Sequence, residues 1–170
     1  GTTELFGCVA IKYGAISAVV WFYEPSSGMG AMLGFSNVLY PSTPNDYTPL
    51  LYVGTNGCLY AGDWASGLLQ VSTPISPGWH MAVLEEWANS TSGPYYVALY
   101  LDGQYIGQTS TSNLPQLFHG GTDFQYAYIG TGYTNGAWPN VNKAWFFFNG
   151  TIAYVAVYNT VLSQSQVQQL

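Results

Sequence analysis

Short apolar or alternating runs, separated by Gly, Pro, Asn and Asp, recur from one end of the chain to the other, and no stretch sustains a helical period. Candidate strands cover Phe6–Lys12, Ile16–Tyr23, Met32–Phe35, Leu50–Val53, Cys58–Ala61, Leu68–Val71, His80–Glu86, Tyr95–Leu101, Gln104–Thr109, Ala127–Ile129 and Thr151–Tyr158. Asn56-Gly57 and Asp102-Gly103 are pairs that tolerate positive φ in two-residue hairpin turns. Strands at this spacing, with no helices between them, build a sandwich or barrel rather than a βαβ fold. Aromatic content agrees: 15 Tyr, 8 Phe and 6 Trp suit the pleated, half-buried surfaces of an all-β chain. The length of 170 residues fits one domain, 1–170, with a substantial core of its own.

The C-terminal stretch shows how such a domain closes. In Thr151–Tyr158 neither alternating set carries a charge, which predicts a strand covered on both faces in the middle of a sheet. Ser163 and Gln166 then have the spacing of a capping box, and Leu162 and Val167 that of a hydrophobic staple. A short helical turn starting at Ser163 is expected to pin the chain end to the sheet through Val167 and Leu170.

These residues carry a family resemblance. F-x-G-x-I from Phe148, V-x-V-Y-N from Val155 and the Leu162-Ser163 start of a terminal turn are similar to the closing signature of laminin G-like domains, the concanavalin A-like jelly rolls. Trp79-His80 with Val83, Leu99-Tyr100-Leu101-Asp102-Gly103, Ile129-Gly130 and the early strand Ser17–Trp21 resemble further family motifs in the same order. The resemblance implies an all-β, two-sheet antiparallel β-sandwich, a jelly roll ending in a short C-terminal helical turn, with Trp21 and Trp79 in its core and His80 structural. The wording around Tyr128–Thr134 and Phe148–Ala153 resembles domains of archaeal secreted and surface proteins. Many members hold a structural calcium with an Asp after the Ile of F-x-G-x-I. Here that position is Ala153, so no cofactor is expected, and a structural calcium held through backbone carbonyls is the remaining alternative.

Charge narrows the partners. Only 6% of residues are charged; Lys12 and Lys143 are the cations, there is no arginine, and the net charge is −6. Nucleic acid is bound by neutralising phosphates, and anionic membranes by basic clusters, so neither is a partner and no membrane insertion is expected. So few ionisable groups suit an extracellular or cell-surface setting, acidic and hot. Asn89-Ser90-Thr91 and Asn149-Gly150-Thr151 are glycosylation triplets. Cys8 and Cys58 are either a disulfide, adding about 4 kcal/mol by closing a loop of about 50 residues, or two buried thiols. With no signal peptide or membrane span in view, the chain reads as a mature form or, the preferred reading, a domain excised from a longer secreted protein.

Catalysis finds little material. Glycoside hydrolysis needs two carboxylates across the sugar, and the E-x-D-x-E strand of laminarinase-like jelly rolls is absent. Glu85 and Glu86 are adjacent and point to opposite faces. Glu24 or Asp63 opposite Glu85 is the remaining combination, which leaves a glycoside hydrolase as the weakest reading. His80 and His119 have no metal-ligand spacing. Sugar binding has more to draw on, because a sugar presents an apolar C–H face and a ring of hydroxyls, matched by aromatic rings beside Asp, Asn or Gln. Asp63-Trp64 in one glycine-flanked turn, Tyr133, Asn135, Trp138 and Asn140 in one irregular loop, and Trp87 before another are the candidates. Each has a structural counterpart: Trp138 beside Pro139 can hold its loop shut, and Asp63 can cap a turn. The sequence therefore predicts a non-catalytic carbohydrate-binding module with a polysaccharide or glycan as partner, attached in cis to a parent enzyme or surface protein. Its rival is a structural or protein–protein interaction domain of a cell-surface assembly.

Overall fold

The computed structural model describes residues 14–62, 68–88, 90, 93–111 and 125–170. Its strands are β1 (Ala15–Glu24), β2 (Gly30–Ser36), β3 (Tyr47–Val53), β4 (Leu59–Ala61), β5 (Leu69–Gln70), β6 (Gly78–Ala88), β7 (Tyr95–Leu101), β8 (Gln104–Thr111), β9 (Tyr126–Ile129) and β10 (Thr151–Tyr158), and the short helix is α1 (Gln164–Val167). Among the described residues they form two five-stranded antiparallel sheets, β10-β1-β6-β7-β8 (sheet I) and β5-β4-β3-β2-β9 (sheet II). Each expected strand from Ile16 onward lies on one of these; Phe6–Lys12 falls outside the described residues. No described helix is long and apolar enough to cross a membrane.

Period-two alternation along β1 explains the layering. Ile16, Ala18, Val20 and Phe22 face inward onto Leu33, Phe35, Leu51 and Leu59 of sheet II. Val19 faces outward with Met81, Val83, Ala98 and Tyr100, beneath Leu162 and Val167 of the chain end. The capping box is present, with Gln166 N donating to Ser163 Oγ (3.3 Å) and Ser163 N to Gln166 Oε1 (2.8 Å). Buried Glu85 fastens the same segment by accepting from Leu162 N (2.8 Å) and Ser17 Oγ (3.3 Å). Val167 is the anchor; Leu170 is exposed, contrary to expectation, because the helix ends one turn too early to turn it inward.

β10 also departs from expectation. It is the outermost described strand of sheet I, and Thr151, Ala153 and Tyr154 are exposed. Its register slips, pairing Ile152 with Phe22 and Tyr154 with Trp21, so Ala153 is the extra residue of a β-bulge. The bulge exchanges the two alternating sets: Ile152 joins Val155 and Val157 against the core, while Tyr154, Ala156 and Tyr158 belong to the outer face. At the hairpins, Asp102 (φ 51°) and Gly103 (φ 75°) make the two-residue turn. At Asn56-Gly57 only Gly57 takes positive φ, in a turn closed by Gly57 N donating to the Gly54 carbonyl.

Candidate functional site

The loop with the richest sugar-binding composition is a fastened cover. Residues 130–148 cross the outer face of sheet II, with Phe146 N donating to the Gly132 carbonyl and Ala31 N to the Phe146 carbonyl. Trp138 is 2% exposed, in one cluster with Tyr52, Tyr60 and Phe146, its ring 5.6 Å from that of Tyr47. Asn135 donates to Tyr47 Oη and accepts from Ala137 N (2.8 Å). Asn140, at φ 54°, donates to Tyr60 Oη (2.7 Å), and Tyr52 Oη donates to the Pro139 carbonyl (3.0 Å). Tyr133 lies edge-on between Tyr47 and Trp145. The predicted role of Trp138 as a stacking platform is corrected here, since a ring buried in that cluster offers no face to a sugar. Asn135, Asn140 and Tyr133 are likewise turned to holding the loop.

Of the other candidates, Trp87 stacks nearly parallel on Tyr96 at 5.1 Å (interplanar angle 17°), and both are half-buried. Asp63 and Trp64 lie outside the described residues. So does Cys8; Cys58 is buried beside Tyr60 and Trp138. Asn149 is exposed, and its side chain clamps the turn after β1, accepting from Met29 N (2.8 Å) and donating to the Ser27 carbonyl (3.3 Å).

The open aromatic surface lies elsewhere. On the outer face of sheet I, beyond the end of the chain-terminal cover, Trp79 is 54% exposed, Tyr154 55% and Tyr23 40%, with half-buried Trp21 between them. Trp79 was expected in the core; its odd-numbered place on β6, shared with Met81 and Val83, turns it outward instead. Cross-strand pairing assembles the group, because Trp79 sits opposite Tyr23 and Trp21 sits between Met81 and Tyr154. The Trp79 and Tyr23 rings meet edge-to-face at 5.6 Å and 71°. The shelf spans three neighbouring strands, about 10 Å across at strand spacing. The Oη atoms of Tyr23 and Tyr154 and the Nε1 of Trp79 bond to no other described residue. Tyr154 shares this face with Ala156 and Tyr158, while the bulge at Ala153 turns Ile152, which strict alternation would place beside it, to the core.

The carboxylates are arranged for structure. Glu24 is 2% exposed beneath the Tyr23 end of β1; burial pushes its carboxyl up to about 7, against a smaller pull downward from His80. Gly28 makes room for it, since a Cβ there would fall on Glu24 Oε1, and Glu24 Oε2 has no hydrogen-bond partner among the described residues. Burial also raises Glu85, with Leu162 N–H and Ser17 hydroxyl bonds opposing. Glu24 pairs across from Gly78 and Glu85 across from Ser17, which separates them by about 23 Å along the strand at 3.3 Å per residue. Their even and odd positions also place them on opposite faces, so they are not a glycosidase pair. His80 ties β6 to the β7–β8 turn, with Nδ1 on Asp102 Oδ2 and Nε2 on the Ser76 carbonyl, each at 2.7 Å. Asp102 Oδ1 accepts from Met81 N (2.9 Å).

No family model matches the sequence, and no curated protein matches it. Solved structures do resemble it. The CBM40 of the Ruminococcus gnavus IT-sialidase, bound to α2,3-sialyllactose, superposes with a TM-score of 0.59 at 15% identity, covering 92% of this chain and 82% of that one. The leech intramolecular trans-sialidase reaches 0.62 at 13% identity over 92% of this chain and 23% of its own. The heptameric SAP-like pentraxin of Limulus polyphemus reaches 0.52 at 15% identity, covering 92% and 70%. The fold is thus the concanavalin-like jelly-roll β-sandwich that these proteins share.

Proposed function

We propose that this chain is a non-catalytic carbohydrate-binding domain whose sugar-facing surface is the shelf of Tyr154, Trp21, Tyr23 and Trp79. The observation that carries this reading is a set of open ring faces, with unspent hydroxyl and indole N–H groups, on a surface nearly free of charge. A pyranose stacks its C–H face on such rings and exchanges hydroxyl bonds at their polar tips. Binding modules among the structures of like fold add support. A single shelf gives weak affinity per sugar, which a repeated glycan or a partner module in cis would raise. We place the domain outside the cell, as one laminin G-like unit of a secreted or surface protein. The archaeal wording of its loops and the few charges favour a hot, acidic source. With Ala153 exposed at the bulge where relatives place a calcium-holding Asp, binding is proposed to survive EDTA.

Affinity electrophoresis or pull-down against soluble and insoluble polysaccharides tests this, with Trp79→Ala beside the parent. Retention on one glycan class, lost in Trp79→Ala with the fold intact, is the expected result. Retention unchanged in that variant removes the shelf from the reading. The second reading, an interaction domain of a surface assembly, draws on Leu39, Tyr40, Ile129 and Phe147, which are exposed at the β2–β9 side of sheet II. It predicts concentration-dependent association that Phe147→Ser abolishes.

A further inference from the structure

We infer that the glycan taken by this domain is uncharged, and that acidic sugars are excluded from the Tyr154–Trp21–Tyr23–Trp79 shelf. The inference rests on the carbohydrate-binding reading and specifies its ligand class. It sets the domain apart from the sialyllactose-bound CBM40 structures that share its fold.

Recognising a sugar carboxylate takes a cation that replaces the water it loses. The planar fork of arginine does this bidentately and a lysine ammonium does it as a point charge. Without one, a carboxylate drawn onto a partly dehydrated surface goes uncompensated, and binding weakens steeply. This chain has no arginine and two lysines. Lys143 is exposed on the segment covering the outer face of sheet II, on the other side of the sandwich from the shelf. Lys12 lies outside the described residues. His80, next to Met81 but on the inward-facing set of β6, has both ring nitrogens taken by Asp102 and the Ser76 carbonyl.

What stands near the shelf is acidic. The partly exposed Asp102 side chain bonds the backbone of Met81, the residue across from Trp21. An acidic sugar approaching the rings would meet this like charge, on a protein already at net −6, a repulsion that salt screens. A neutral sugar meets none of this. It needs apolar ring faces and hydroxyl partners, which Trp79, Tyr23 and Tyr154 supply.

The test is a matched panel on the intact chain. Lactose is set against 3′-sialyllactose, cellulose against carboxymethylcellulose, and neutral xylan, mannan and chitin against pectate, alginate and hyaluronate. Affinities are read at low and high salt for the parent, Trp79→Ala, Thr151→Arg and Lys143→Ala. Binding to at least one neutral glycan is expected, with its carboxyl-bearing counterpart roughly tenfold or more weaker. That deficit should narrow as salt screens the repulsion. Thr151→Arg, which places a cation across from Tyr23, should narrow it as well, while Lys143→Ala leaves it unchanged. Equal or tighter binding of the acidic member overturns the inference, as does acidic-glycan binding lost in Lys143→Ala. Selectivity for neutral glycans that survives Trp79→Ala overturns its assignment to the shelf. A parent that binds neither class overturns the carbohydrate reading itself, a result distinct from the others.

Discussion

The outer faces of the two sheets begin with the same material and end in opposite states. Sheet II turns Tyr52 and Tyr60 outward, stacked at 4.9 Å, and residues 130–148 close over them with Trp138 and Phe146. Sheet I turns Trp21, Tyr23, Trp79 and Tyr154 outward, and the chain end covers only the neighbouring Val19–Met81–Val83 stretch. Aromatic residues bury themselves wherever a later segment supplies complementary polar groups. On sheet II, Asn135, Asn140 and the Pro139 carbonyl meet the tyrosine hydroxyls, and an apparent sugar site becomes a second core. On sheet I no described segment covers the end where Tyr23, Trp79 and Tyr154 lie, and the rings stay open.

The sharpest way to break this contrast is to truncate one tryptophan on each face. Trp138→Ala should destabilise by about 3–5 kcal/mol, the cost of emptying a packed aromatic site, as read from denaturant unfolding. Glycan retention should persist wherever the variant is folded. A loss of retention without a loss of stability would mean that the loop over sheet II is the site after all.

The next effect is one of pH. Glu24 has a folded-state carboxyl near 7, above its ordinary 4.5. Between these values the unfolded chain has released a proton that the folded chain keeps, so stability falls as pH rises from about 4.5 to 7 and levels off above. The shift corresponds to about 3 kcal/mol, and Glu85, raised by burial, adds in the same direction. Melting temperatures measured from pH 4 to 8 should decline, and Glu24→Gln should flatten the profile. A profile that rises across this range would remove Glu24 as a buried acid. Acid stability of this kind fits the setting inferred from composition.

Ser163→Ala removes one half of the capping box and should cost about 1 kcal/mol. Hydrogen exchange should quicken at Leu162 and Val167 while sheet II is unaffected, showing that the two covers are independent. Smallest of all is Trp79→Ala, whose stability change should stay within about 1 kcal/mol because its ring is exposed. A larger loss would mean that Trp79 is packed as a core residue.

Much of this architecture was legible in local sequence. The strands from β1 onward, the Asp102-Gly103 turn and the Ser163 capping box each depend on residues within a few positions of one another, and each formed as read. Three readings went astray for one reason, which is that they concern what lies across the sheet. Trp79 was assigned to the core through its motif, whereas what the motif holds inside is His80, bonded to Asp102. Thr151–Tyr158 was read as a strand in the middle of a sheet, whereas β10 is the outermost described strand of sheet I. Trp138 was offered to a sugar although its loop had partners of its own.

Backbone pattern and turn chemistry therefore sufficed for the all-β class, the hairpins and the closing helical turn, because φ/ψ preference and side-chain alternation are settled between near neighbours. Which aromatic rings are open was settled by segments far apart in the chain. Tyr52 is satisfied by Pro139 and Tyr60 by Asn140, 87 and 80 residues away, and Trp79 meets solvent because no described segment crosses it. Exposure belongs to the packing of distant pieces, and a ring carries no mark in the sequence of whether another piece will reach it.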